Sequence, residues 1–133
     1  MSNPLLLDIV IYLTNKQVIA GDGIDTFRDF IPEMPDDLVA ITEYKGSPMS
    51  SFESVSHRSV QVLVRNRDAD LARSKCLDIF RTIQENLDES SRLDFTEGRW
   101  GQVSLRQTPY RLNTDKSDRV SYGFNIGITT TID

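Results

Sequence analysis

The end of the chain, VSYGFNIGITTTI, alternates without a break. Val120, Tyr122, Phe124, Ile126, Ile128, Thr130 and Ile132 fall on one side, and Ser121, Gly123, Asn125, Gly127, Thr129 and Thr131 on the other. Period two sustained over this length predicts a β-strand with one face on a core, roughly 43 Å long if fully extended. A strand that long is expected to bend at its glycines or to reach beyond its own sheet. Whatever else the chain does, it has to build a sheet around this segment.

The remaining elements follow from local patterning. Asn3 before Pro4 is a good helix start, and Leu6, Ile9, Val10 and Leu13 recur at helical spacing behind it. The β-branched run DIVIYL keeps a strand open as the alternative. LVAITEY, Leu38 to Tyr44, and SVQVLVRN, Ser59 to Asn66, read as strands, with polar, serine-rich KGSPMSSFESVSH between them as a mobile loop. From Asp68 to Leu87 a helix is predicted, with Asp68 as its cap and Ala69, Ala72, Cys76, Ile79, Phe80, Ile83 and Leu87 in one apolar stripe. RLDF and RWGQVSLRQ, on either side of TEG, form a hairpin. The predicted fold is therefore α+β. One domain spans 1–133, with a largely antiparallel or mixed sheet flanked by an N-terminal helix and one long amphipathic helix.

Charge and cysteine usage narrow the function. The net charge of −5 and scattered Lys and Arg argue against gripping phosphate backbones. A lone cysteine forms no intrachain disulfide and no cysteine-based zinc site, and a reduced intracellular setting is the default. PLLLDIVIYL is too short for a membrane span and carries Asp8, so neither a span nor a signal peptide is predicted.

No enzyme signature survives inspection. His57 lies in the serine-rich stretch without a nucleophile-elbow pattern, and Cys76 sits in the apolar stripe, where a small core residue is expected. Trp100, beside Gly98 and Gly101, fits core or interface better than a stacking platform. The densest chemistry is AGDGIDTFRDFIPEMPDD, with Asp22, Asp25, Asp29, Glu33, Asp36 and Asp37. Ile24 and Phe27 interrupt any calcium-loop register, and no P-loop or dinucleotide pattern accompanies the glycines. A small metal-dependent hydrolase using the Asp22–Asp37 acids is the reading from the enzyme class, and a monomeric protein-binding module is another. No catalytic residue, metal ligand or cofactor site is assigned.

Several of these features, in order, resemble the tail terminator or minor capsid proteins of long-tailed, siphovirus-type bacteriophages. They are the apolar N-terminal helix and Gly/Asp turn, then FRDFIPEMPDDLVAITEYKGSP with Phe30, Pro32, Pro35, Asp36 and Gly46 in the pattern. VQVLVRNRD follows with Arg65 in place, then the alanine-bearing helix ADLARSKCLDIF. The close is Pro109, Asp115 and Arg119 running into an aromatic strand with Tyr122 and Asn125. The resemblance implies a mixed sheet flanked by helices, assembling as a hexameric ring that caps the tail tube, ends its polymerisation and offers a surface to the head. The implied partners are further copies of itself, the tail tube protein and the head–tail connector, with DNA passing through the hole without specific binding. It also implies a place at the head-proximal end of the tail in the virion, after synthesis in the host bacterial cytoplasm. A head-completion or head–tail joining protein of similar fold is the nearest alternative.

On this reading the candidate interface residues are Phe30, Pro32, Pro35, Asp36, Asp37, Arg65, Tyr122 and Asn125. Asp22, Asp25 and Asp29 are candidates for an acidic lumen wall, since six acidic subunits would carry roughly −30. The long C-terminal strand is expected to offer an edge to a neighbouring subunit, with Gly123 and Gly127 admitting its backbone.

Overall fold

The computed structural model describes residues 3–44 and 55–131. Asn3 opens the first helix, α1 (Pro4–Asn15), its side chain accepting from the backbone N–H of Leu5 and Leu6 at 3.1 and 3.3 Å. Proline at the first position costs nothing there because its N–H would be unpaired anyway. The second helix, α2 (Ala69–Asn86), starts on Asp68, which caps Asp70 and Leu71 in the same way. Ala72, Cys76, Ile79, Phe80 and Ile83 of its stripe are buried.

Seven strands among the described residues form one mixed sheet: β1 (Thr26–Arg28), β2 (Leu38–Tyr44), β3 (Ser56–Asn66), β4 (Arg92–Asp94), β5 (Trp100–Leu105), β6 (Tyr110–Thr114) and β7 (Val120–Thr130). Their order is β1-β2-β3-β7-β5-β4, with β6 beside β7; β1 runs parallel to β2 and every other pair is antiparallel. The register aligns Ile41, Val62 and Phe124 across three strands, and Val60, Ile126 and Leu105 across another three. That face joins Leu5, Leu6, Ile9, Val10 and Leu13 of α1 and Cys76, Ile79 and Ile83 of α2 in one core. Both helices therefore cover the same side. On the other face Thr42, Gln61, Asn125 and Ser104 are polar, while Leu38 and Ala40 of β2 are buried there as well.

The structure corrects several expectations. Strand β7 offers no edge. It pairs with β3 along its whole length, with β6 over Val120–Gly123 and with β5 over Ile126–Thr129. Its glycines admit neighbours from the same chain. A Cβ on Gly123 would lie 2.7 Å from the Val62 carbonyl oxygen and 2.8 Å from Leu112 Cδ1, and one on Gly127 2.8 Å from Arg106 Nη2. The polar run YRLNTDKSDR is largely a strand and a turn: β6 takes Tyr110–Thr114, with a register shift between Arg111 and Asn113. His57 belongs to β3, its Nδ1 3.0 Å from Thr129 Oγ1. A short strand, β1, forms inside the acidic stretch, for which no strand is predicted. Gly46 and most of the serine-rich loop (45–54), together with Ile132, lie outside the described residues.

These contacts separate the two glycines by experiment. Gly123→Ala drives a methyl into a backbone carbonyl of the central ladder, which cannot retreat without breaking register, and is expected to cost about 2 kcal/mol. Gly127→Ala meets only the exposed end of Arg106, which can swing away, and is expected to stay within about 0.5 kcal/mol. Urea denaturation of both variants at neutral pH measures the contrast.

Candidate assembly site

The residues that matter most surround the strap from Phe30 to Asp37, between β1 and β2. Two arginines, each about 95% buried, hold it from beneath. Arg65, near the end of β3, donates from Nη2 to the carbonyl oxygens of Pro32, Glu33 and Pro35 at 2.9, 3.1 and 2.7 Å, and from Nε to Asp36 O at 3.1 Å. Arg119, just before β7, donates to Glu33 O and to Glu33 Oε1 at 3.1 Å. It is itself held by Asp115, whose Oδ2 accepts from Nε at 2.8 Å. Arg67 closes the set, Nε to Asp36 Oδ2 at 2.7 Å. A guanidinium has donors in a fixed planar fork and no acceptor, so it suits a loop that turns several carbonyls inward. The Met34–Pro35 peptide is cis.

With its carbonyls turned in, the strap turns side chains out. Phe30, Ile31 and Met34 are 56, 49 and 65% exposed. Phe30 meets Phe27 edge-on, with centroids 5.6 Å apart. These apolar side chains are grouped on a firmly anchored backbone.

The acids that crowd this stretch are mostly engaged. Asp25 accepts from the backbone N–H of Ala20 and Gly21 at 2.9 and 3.1 Å and from the Thr26 hydroxyl at 2.9 Å. Burial pushes its carboxyl up, but those hydrogen bonds and the Lys75 charge outweigh it and hold the group below the usual range. Asp22 pairs with Arg28 at 2.9 Å, and Asp29, in a left-handed conformation, accepts from Glu43 N–H at 3.1 Å beyond the end of β1. Asp37 is exposed. Among the described residues no group of three His, Cys, Asp or Glu is arranged to hold a metal.

The structure separates the sequence candidates. Phe30, Pro32, Pro35, Asp36 and Arg65 converge on one feature, but Arg65 is its buried anchor and cannot touch a partner. Tyr122 and Asn125 do not share a surface. Tyr122 packs on the helix-side core, whereas Asn125 lies on the polar face with its Nδ2 3.3 Å from the Tyr110 hydroxyl. Asp25 keeps its charge but turns its carboxylate toward the Ala20 and Gly21 backbone.

A family model described as bacteriophage tail terminator protein matches residues 12–132. The chain belongs to the bacteriophage tail terminator family. Membership gives it a structural role in the phage tail and a place in the virion, in a family not known for enzymatic activity. No curated protein matches the chain. Among the described residues no helix is long and apolar enough to cross a membrane. Six of the residues behind the family resemblance (Pro32, Pro35, Asp36, Arg65, Asp115 and Arg119) are scattered in sequence, yet they build a single clamp in this terminator fold.

Two contacts were missed in the sequence reading. Asp8, 2% exposed, receives Arg99 Nε at 2.6 Å and Nη2 at 2.8 Å, tying α1 to the β4–β5 turn. A charge inside an otherwise apolar helix was the available signal, since a buried carboxylate requires a partner. Glu43 receives Arg58 Nε at 2.6 Å and Asn3 Nδ2 at 2.6 Å, which locks the start of α1 to the sheet.

These pairs set an acid limit. Arg67 holds the Asp36 carboxyl below its ordinary range, the Arg119 backbone N–H does so for Asp115, and Arg58 for Glu43. A carboxyl with a depressed folded pKa binds more protons unfolded than folded, so its contribution is complete above the unfolded pKa and fades as pH falls through the folded one. The urea midpoint is expected to fall progressively below about pH 4.5. Asp115→Asn should flatten that slope.

Proposed function

We propose that this chain forms a ring that caps the tail tube, ends its polymerisation and presents the surface to which the head attaches. The partners in this reading are further copies of the chain, the tube protein and the head–tail connector, with DNA passing through the hole unbound. The observation that carries it is the strap, where buried arginines fix the backbone so that Phe30, Ile31 and Met34 stand in solvent at no further ordering cost. Such a surface serves docking rather than covalent chemistry, and family membership supplies the setting.

Deleting the gene from its phage and measuring tails by negative-stain microscopy tests the proposal. Overlong or ragged tails are expected. Tails of normal length beside unjoined heads would overturn termination and assign the chain to head–tail joining.

A further inference from the structure

Asp115 makes no hydrogen bond to the strap, yet it faces the charge that holds the strap down. Arg65 and Arg119 lie side by side beneath it, both donating to the carbonyl oxygen of Glu33, and they are 5 and 4% exposed. Both guanidiniums stay charged and repel one another, so a site that buries the pair needs negative charge close by. Arg65 does not bring any: its four hydrogen bonds to the strap all end on carbonyl oxygens. The counter-charge reaches the pair through Arg119.

Three carboxylates face Arg119. Two come from the strap itself. Glu33 meets Nη2 at 3.1 Å, but its side chain is 81% exposed and water screens it. Asp36 stands 3.4 Å from Nη1 and gives its other oxygen to Arg67 at 2.7 Å. The third, Asp115, follows β6 and makes the closest contact, Oδ2 to Nε at 2.8 Å. Its Oδ1 accepts from the backbone N–H of Ser117 and Arg119 at 2.9 and 3.0 Å, so its own turn fixes it in place. The turn is tied to the strap a second time by Arg67, which bonds Asp36 through Nε and donates from Nη1 to Ser117 O at 3.2 Å.

We propose that Asp115 is the positioning residue of the strap. From the β6–β7 turn it aims Arg119 at Glu33 and neutralises the buried arginine pair. Without its charge the strap comes away from Arg65 while the rest of the domain stays folded. The consequence for tail capping rests on the strap reading above; the hold on the strap does not.

Asp115→Asn keeps an oxygen for the two N–H donors of the turn and removes the charge. The readout is the Arg65 Nε–H signal in heteronuclear NMR spectra. That proton is donated to Asp36 O at 3.1 Å, so losing the Asp115–Arg119 bond moves it only if the strap lets go. At neutral pH its exchange with water is expected to be about tenfold faster in the variant, with the backbone amides of α2 and β3 as protected as in wild type. The Asp115 carboxyl lies below its ordinary range, chiefly through the Arg119 backbone N–H. Its charge is therefore in place at neutral pH and is lost as pH falls through that lowered value. The wild type should show the same acceleration on acidification, corrected for the intrinsic pH dependence of exchange, and the variant less of it. An unchanged Arg65 signal in the variant, or a rise spread evenly over all amides, would overturn the proposal. So would a wild-type signal that stays protected until the whole domain unfolds in acid, a result that needs no variant to fold.

Complementation then separates the two readings. A loosened strap with overlong tails is the expected pair. A loosened strap with tails of normal length would overturn the strap as docking surface and leave the role of Asp115 standing. A wild-type strap with overlong tails would overturn the role of Asp115 and leave the strap reading intact.

Discussion

Replacing Ile31 and Met34 together with serine is expected to abolish tail capping while leaving the fold unchanged. Both side chains already stand about half in water, so their loss costs the monomer little, within about 0.5 kcal/mol. Phe30 is deliberately spared, because its edge-on contact with Phe27 helps to order the end of β1. For assembly the balance reverses. The two side chains are the outward part of an anchored surface, and losing both should weaken each docking contact by at least about tenfold, repeated at every subunit of a ring. A melting curve that matches wild type, together with overlong tails in a complementation assay, is the expected pair of results. Normal tails would show that the strap is not the docking surface.

Arg65→Ala should act in the opposite order, on stability first. The guanidinium satisfies four carbonyl oxygens of the strap from a position 5% exposed, and no other described donor replaces it at Pro32, Pro35 and Asp36. Burial pulls the guanidinium pKa down and the neighbouring Arg119 charge adds to this, yet an arginine remains charged. Its removal leaves inward-facing carbonyls without a partner and a void beside Arg119. The expected cost is about 3 kcal/mol, seen as a fall of roughly 10 °C in the melting temperature of a domain this size. Arg65→Lys should recover only part of that, since one ammonium cannot reach four carbonyls in a planar fork. Because the strap is released, capping should fail in Arg65→Ala even at temperatures where the protein is folded. Wild-type stability in Arg65→Ala would mean that the strap holds its shape without the arginine.

Much of the scaffold was legible from local chemistry. Asn3 and Asp68 cap helices because a side-chain oxygen next to a helical run satisfies otherwise orphaned N–H groups. Leu38–Tyr44 was delimited by its neighbours, and the Val60, Val62, Val64 alternation marked the core face of β3. Such signals lie within a few residues of the structure they specify. The strand β6 escaped because its residues are exposed or half-buried and its register shifts between Arg111 and Asn113, which erases the period-two pattern.

The acidic stretch shows where that reach ends. Its residues ruled out a calcium loop by register, and its prolines and glycines marked a shaped segment, all without coordinates. Whether Asp25 faced solvent or its own backbone depended on a turn that closes over Ala20 and Gly21. Arg65 counts among the interface candidates through its place in the family pattern, which says nothing of its burial. Its burial depends on four carbonyls supplied from about thirty residues earlier, and Arg119 joins it from more than fifty residues later.

The sequence by itself determined most of the elements, the buried stripe of α2, the core faces of β3 and β7, and the resemblance to the family, because periodicity, caps and ordered motifs are local or linear properties. Only the tertiary structure decided that β7 is interior rather than an edge and that the two arginines clamp one strap. Strand order, burial of charge and the placing of surfaces arise from contacts between residues far apart in the chain, and pairing energies of that kind leave no periodic trace in the sequence.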